Sequence, residues 1–265
     1  MDEHARVRER GSSVTMMMIA RDVEHGLVPD WPAPAHVRAC VTLRTGGVST
    51  GPYASLNLGT HVGDDPRAVA ENRRRVESRL ALPSEPRWLE QVHGATVLDL
   101  DRDALAPADG AVTARAGVVC AVLTADCLPV LLTDRRGTRV GVAHAGWRGL
   151  AAGVIENAVA ALGTPPAEVL AWLGPAIGPA AFEVGDEVRA GFAAAGFETD
   201  SAFVPNASGR WQADLYALAR QSLARAGVAA VHGGGACTYA DAERFFSHRR
   251  EAPCGRMASL VWIDP

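Results

Sequence analysis

The sequence predicts an α+β fold, a single domain of mixed β-sheets layered with helices, and three observations carry that reading. Helical and extended patterns follow one another without the strict alternation that a doubly wound sheet or a β/α barrel requires. No Ser/Gly-rich linker divides the 265 residues into separate units. There is no G-x-G-x-x-G fingerprint, no Walker loop and no internal repeat to announce a dinucleotide fold, a nucleoside triphosphatase or a solenoid.

The elements are expected in the following order. Residues 1–30 read as an N-terminal extension, its first 15 residues charged, without apolar period and expected to be disordered, and the domain is expected over 31–265. Translation beginning at Met16, Met17 or Met18 would remove most of the charged part. Val14–Ala20 is too short to span a bilayer and lacks a cleavage pattern. His36–Arg44 reads as a strand, broken by Thr45-Gly46-Gly47 into a glycine-rich loop that runs to Ser55-Leu56-Asn57-Leu58-Gly59. Asp65-Pro66 opens a helix over Arg67–Leu82, with Val69, Val76 and Leu80 on one stripe and Asn72-Arg73-Arg74-Arg75 as a solvated polar face. Trp88–Leu100 carries the next strand signal. Two apolar runs, Leu128–Thr133 and Thr138–Ala143, flank Asp134-Arg135-Arg136-Gly137 and predict an antiparallel hairpin. Trp147-Arg148-Gly149 leads into a helix with Leu150, Val154, Ile155, Ala158, Val159 and Leu162 at helical spacing. Ala167–Leu173 is a strand ending in the rigid loop Gly174–Pro179. Helices follow at Gly185–Ala195 and Ala213–Ala226, then strands at Val228–Val231 and Met257–Ile263.

Composition narrows the function. A net charge of -4 argues against a nucleic-acid partner, which would want a basic stripe, and no segment suits a membrane. Five cysteines with no C-x-x-C pair do not form a secreted disulfide framework, so a reducing cytoplasm is expected. Gly47-Val48-Ser49-Thr50-Gly51 matches the nucleophile elbow of serine hydrolases in letters alone. A helix should follow the serine where Pro52 stands, and His232-Gly233-Gly234-Gly235 lies on the wrong side of it to serve as an oxyanion motif.

The chemistry concentrates between Gly117 and Gly153. If Thr133 faces Thr138 across the hairpin loop, extending the ladder sets Cys127 opposite His144, with Cβ atoms about 4.5 to 5.5 Å apart. That is close enough to share one proton or one metal ion, although Pro129 implies an edge or a bulge. A Cys/His pair admits three readings: a thiolate–imidazole nucleophile, metal ligands, or packing. Asp126 beside the thiol and Arg148 just past the imidazole are charges set against apolar strands, and Asp126 is placed to shuttle a proton. Catalytic zinc commonly takes three protein ligands and a water, and His93, Cys127 and His144 would supply such a set. Cys40, Cys120, Cys237 and Cys254 are read as core or loop thiols.

TLRTGGVS and SLNLG, QVHG, TADCLPVLL, AHAGWRGL, LGPAIGP, and FFSHRR with a following GR together resemble the YfiH-type laccase-domain family. Its members are variously called polyphenol oxidases, peptidoglycan editing factors and purine nucleoside phosphorylases. The resemblance runs from about Trp31 to the C-terminus. It implies one α+β fold, a metal site on His93, Cys127 and His144 described as zinc with copper also reported, phosphorolysis of adenosine, inosine and methylthioadenosine, and deamination of adenosine. The fold is also similar to that of cysteine–histidine deamidases related to a bacterial cytotoxic necrotising factor, which keeps a Cys127–His144 amidase acting on cell-wall precursors, or a metal-dependent interaction protein, among the alternatives. A multinuclear copper cluster fits poorly, because none of the eight histidines forms a His-x-His pair and His4 and His25 lie in the N-terminal region. Copper on the same three ligands remains compatible with the donor set. Phosphorolysis needs an anion site, for which Arg44, Arg148, Arg249 and Arg256 are the expected residues, with Ser247 and His248 as hydrogen-bonding neighbours. The expected partners are small molecules, a purine nucleoside and phosphate, on a monomer or weak homodimer.

Overall fold

The computed structural model describes residues 20–23 and 26–265, so the expectations for residues 1–19 lie outside the described residues. Strands β1 (Ala20–Val23), β2 (Gly26–Pro29) and β3 (Val37–Val41) precede helix α1 (Pro66–Leu80). Short strands β4 (Arg87–Trp88) and β5 (Val97–Asp99) lead to β6 (Gly110–Thr113), β7 (Cys120–Thr124), β8 (Leu128–Asp134) and β9 (Val140–Ala145). Helices α2 (Trp147–Ala151) and α3 (Val154–Leu162), strand β10 (Val169–Leu173), β11 (Glu183–Val184) and α4 (Asp186–Ala194) follow. The chain closes with β12 (Phe203–Pro205), β13 (Trp211–Ala213), α5 (Leu215–Arg225), β14 (Ala230–Gly233), α6 (His248–Glu251) and β15 (Met257–Ile263).

The strands form two six-stranded sheets, in the orders β1-β2-β3-β15-β7-β4 and β14-β10-β8-β9-β6-β5, with β11-β13-β12 as a small third sheet. The two large sheets face each other. Val122 and Val261 of the first pack with Leu131, Val142 and Trp172 of the second in one buried cluster. On the outer side of the second sheet, Val130 and Leu132 meet Ile155, Leu162 and Leu218 of α3 and α5. On the outer side of the first, Ala121, Leu123 and Leu260 meet Val76 of α1 with Leu56 and Leu58. Central strands covered on both faces lose the alternation of a half-exposed strand. That is why Leu128–Thr133 and Met257–Ile263 read as continuous apolar runs, and every residue of β8, β9 and β15 is buried.

Four sequence expectations are corrected. The domain reaches N-terminal of Trp31, since Leu27 pairs with Val41 and is buried. The run Trp88–Leu100 is two strands in different sheets, β4 beside β7 and β5 beside β6, with residues 89–96 crossing between them. The helix after Trp147 is interrupted at Gly153, whose φ of 90° no helical residue adopts. Asn72 is not on a solvated face. It is fully buried on α1, where its Oδ1 accepts from Val48 N–H and its amide donates to Ser49 Oγ and to the carbonyls of Ser55 and Asn57, pinning the glycine-rich loop to the helix.

Helix starts follow capping chemistry. Asp65 accepts from Arg67 N–H ahead of Pro66, and Asp214 accepts from Tyr216 and Ala217 N–H. Tyr216 then has a second task. Its buried hydroxyl accepts from Ala176 N–H at 2.9 Å and lies 3.0 and 2.7 Å from the carbonyl oxygens of Gly174 and Ala236, tying the Gly174–Pro179 loop to the segment after β14. Removing the hydroxyl takes the 2.9 Å acceptor from Ala176 N–H, leaving it a longer 3.3 Å contact with the Ala236 carbonyl, and removes the donor that the Gly174 and Ala236 carbonyls share. Tyr216→Phe is therefore expected to destabilise the protein by about 1–3 kcal/mol. Urea unfolding checks this, and a change under a few tenths of that size contradicts it.

Candidate functional site

The chain passes from the first large sheet to the second at residues 89–96 and again at Ala125-Asp126-Cys127. Both crossings emerge at the same end of the sandwich, and each delivers one side chain to the C-terminal end of β9, where His144 points between the sheets.

The hairpin register differs from expectation by two residues. Thr133 pairs with Val140, which puts Pro129, not Cys127, opposite His144. Asp134 is the cause. Its carboxylate accepts from Thr138 N–H, Thr138 Oγ1 and Arg139 N–H, so those residues join the loop and leave the ladder. A shift of two preserves which face each side chain occupies, so Cys127 becomes a diagonal neighbour of His144 and stays within reach of it. Pro129 is tolerated in a central strand because its carbonyl still accepts from Gly174 N–H at 2.9 Å, while the Gly174 carbonyl, which a proline nitrogen cannot serve, lies 3.0 Å from the Tyr216 hydroxyl.

The position facing Cys127 is Gly146. A Cβ there would lie 3.0 Å from Cys127 Sγ and 3.1 Å from His93 Cδ2, so any side chain at this position would push on two of the three donors. Gly149 serves the same end, since a Cβ would sit 2.7 Å from the carbonyl of Gly94 in the loop that bears His93. That loop is held on both sides. Gln91 imitates a strand partner, its amide donating to Leu123 O at 2.9 Å and accepting from Leu123 N–H at 2.7 Å. His93 itself takes a left-handed φ of 58°.

Sγ of Cys127 lies 3.9 Å from His93 Nε2, and the donor atoms of His93, Cys127 and His144 all fall within 4.8 Å of one another. The two imidazoles meet edge to face at 4.8 Å between centroids. His144 is buried, Cys127 half-buried and His93 exposed, so the cluster is closed behind and open in front. His144 Nδ1 lies 2.8 Å from Asp109 Oδ1, which leaves its Nε2 for the cluster. One thiolate and two imidazoles fit a zinc or copper ion with an open position, and this is the one such group among the described residues.

Electrostatics favour a thiolate. Burial pushes the Cys127 thiol up, but the imidazoles of His144 and His93 outweigh it and bring the group down to about 6. The same partnership works on His144, where burial lowers the imidazole and Cys127 and Asp109 together raise it to about 9. Asp109 is pushed up by burial, yet His144 and the N–H groups of Gly94 and Val92 hold its carboxyl below the usual range.

These residues form the floor of a cleft of about 350 Å³. Leu123, Ala125, Ile177 and Phe182 give it an apolar wall, and His61, His248, Arg249 and Arg256 line it with imidazole and guanidinium groups. Arg249 is held by the Glu183 carbonyl at 2.8 Å and Arg256 by that of Cys254 at 2.9 Å, neutral partners that leave each guanidinium its charge. Asp126 also lines the cleft, in a left-handed conformation at φ 88°. Its Oδ1 accepts from Thr238 Oγ1 at 2.6 Å and its Oδ2 from Arg249 N–H at 2.7 Å, which gives the carboxylate an anchoring task.

Three expected residues are not brought to the cleft lining. The Arg44 guanidinium pairs with Glu251 at 3.0 Å, donates to the carbonyls of Ala54 and Ala242, and stacks on Phe246. Ser247 is fully buried and caps α6 by accepting from Arg250 N–H. Arg148 lies over its neighbour Trp147. Asp109, His61, Phe182 and Thr238 were not singled out from the sequence. No local signal marks Asp109, whose place one residue before β6 matters only through the pairing of β6 with β9. Ser49, in the rejected elbow, donates to Asp64 and accepts from Asn72.

Residues 38–264 match the family model described as multi-copper polyphenol oxidoreductase laccase. The chain is 61% identical over 239 residues to the purine nucleoside phosphorylase PA4543 of Pseudomonas aeruginosa, covering 90% of this chain and 98% of that one. It is 53% identical over 239 residues to the purine nucleoside phosphorylase YfiH of Escherichia coli, with 89% and 98% covered. Among solved structures, Neisseria meningitidis protein NMB0706 superposes with a TM-score of 0.86 at 50% identity, covering 91% of this chain and 100% of that one. YlmD of Geobacillus stearothermophilus does so with a TM-score of 0.86 at 34% identity, covering 93% and 99%.

Two outcomes follow from this geometry. In chelator-treated protein, alkylation of Cys127 by iodoacetamide should accelerate as pH rises through about 6, far below 9.0 for an ordinary thiol. His144→Ala should move that transition upward, as peptide mapping at a series of pH values will report, and an unmoved transition contradicts the pairing. Gly146→Ala should lower bound metal at least tenfold while circular dichroism stays native, because its methyl intrudes on two of the three donors. Elemental analysis reads the effect, and parental metal content rejects it.

Proposed function

The chain belongs to the multi-copper polyphenol oxidoreductase laccase family, and within it we propose a metal-dependent purine nucleoside phosphorylase that also deaminates adenosine. The observation that carries this reading is one cleft combining the His93, Cys127 and His144 donors, an apolar wall and an arginine-lined side. The near full-length relatives called purine nucleoside phosphorylases supply the substrate class.

In phosphorolysis a phosphate oxygen bonds to the ribose C1′ as the bond from C1′ to purine N9 breaks, and the departing purine takes up a proton on a ring nitrogen. Arg249 and Arg256 suit the phosphate, since guanidinium forks match its oxygens. Leu123, Ala125, Ile177 and Phe182 suit the purine and keep water from its faces. His61 and His248, both on the cleft surface, can carry the proton to the leaving base. Asp126 holds Arg249 in place through its backbone N–H. A divalent ion held by His93, Cys127 and His144 would supply Lewis acidity, polarising the purine or activating water toward C6. We assign zinc, with copper also suited to the donors, and a cytoplasmic setting in which a free Cys127 thiol persists.

Oxidation of phenols by a multinuclear copper cluster gains no support, because the described residues hold a single three-donor group. The amidase reading rests on a Cys127 thiolate acting alone and makes an opposite demand. Adenosine incubated with metal-loaded protein should give adenine and ribose 1-phosphate with phosphate present, and inosine without it. Chelation should abolish both. Activity that survives chelation but not alkylation would favour the amidase. Absence of adenine and inosine under all conditions would remove the purine reading. Arg249→Ala should raise the KM for phosphate about tenfold or more with deamination retained, and an unchanged KM would take that arginine out of the phosphate site.

A further inference from the structure

One buried carboxylate joins two of the three donors. Asp109 is fully buried immediately before β6, and its carbonyl accepts from His144 N–H at 2.7 Å as the ladder Gly110↔Ala143 is extended by one residue. On the side-chain level, Oδ1 receives His144 Nδ1 at 2.8 Å and His93 N–H at 3.0 Å. Oδ2 receives Gly94 N–H at 2.6 Å and Val92 N–H at 3.2 Å. All four partners are donors toward the carboxylate, so the group has no spare acceptor directed elsewhere.

We propose that Asp109 is the positioning residue of the centre, fixing His144 in the tautomer that presents Nε2 and simultaneously folding the Val92-His93-Gly94 loop so that both imidazoles face Cys127. The first task is the familiar one of a carboxylate behind a metal-ligating histidine, which holds the ring and raises its basicity. The second is a backbone task. The backbone N–H of His93 donates to the same oxygen as His144, so one atom sets the spacing of two donors that lie far apart in sequence. Its dry surroundings strengthen both contacts.

Asparagine is the informative substitution, because it preserves size but supplies one acceptor and one NH2. If the NH2 faces His144, the ring must accept at Nδ1 and carry its proton on Nε2, which then has no lone pair to offer a metal. If the NH2 faces the loop, it meets the N–H groups of Val92 and Gly94 and the loop loses its anchor. Neither rotamer satisfies both sides.

The inference rests on the metal reading of the three donors, so the test reads the metal and the ring directly and not nucleoside turnover. Zinc-loaded parent and Asp109→Asn are titrated with a chelator, and the cobalt-substituted forms are compared by their thiolate charge-transfer and d–d absorption. Asp109→Asn should release zinc at about 10- to 100-fold lower chelator concentration with native circular dichroism, and its cobalt spectrum should change. Parental zinc retention and an unchanged cobalt spectrum would overturn the proposal. A third measurement stands even if the variant does not fold or the parent takes no metal. In nitrogen-15-labelled parent, with or without metal, His144 should show an exchange-protected proton on Nδ1. A freely exchanging or unprotonated Nδ1 would overturn the assignment of Asp109.

Discussion

The constraint behind this structure is that two sheets must cover each other's inner faces while one chain threads both. Each passage between them is a place where backbone leaves its ladder, and hydrogen bonds lost there must be recovered from side chains. Gln91 recovers two of them at Leu123, Asp109 gathers the N–H groups of the first crossing, and Asp126 binds Thr238 and Arg249 at the second. The residues that make the crossings possible therefore also set where His93 and Cys127 end up. Scaffold and site are built by the same contacts.

Much of this was legible from residue type and order. The apolar runs at Leu128–Thr133 and Met257–Ile263 identified central strands, and glycine, cysteine and histidine in TADC, QVHG and AHAGWRG marked where chemistry concentrates. What escaped was whatever depended on a side chain replacing backbone. Asp134 lengthened the hairpin loop by bonding Thr138 and Arg139, which propensity does not encode, and the register moved by two. Trp88–Leu100 looked like one strand because strand signals carry no information about which sheet receives each end. Asn72 among arginines looked solvated, although one amide in a buried position answers four polar groups. Arg44 had every property of an anion ligand except an uncompensated charge, since Glu251 neutralises it.

Asp109 was the least visible of all. In Pro107-Ala108-Asp109-Gly110 it has the composition of an ordinary turn, and nothing local indicates that its carboxylate is fully buried. Its importance comes from tertiary pairing alone, which sets it across the ladder from His144. An ionised group in that position would be costly if unpaired. Four donors make it tolerable, and the arrangement holds only while the Val92–Gly94 loop and β9 keep their spacing.

Gln91 and Asp109 give the His93 loop one foot on each sheet, the first through Leu123 of β7 and the second through the strand pair β6–β9. The loop is thus a strut across the open end of the sandwich. Any sliding or parting of the sheets would strain it at both feet and displace His93 relative to Cys127 and His144. The spacing of the three donors is thereby tied to the spacing of the two sheets. Mutations deep between the sheets, far from any substrate, would accordingly register first as altered chemistry at the rim.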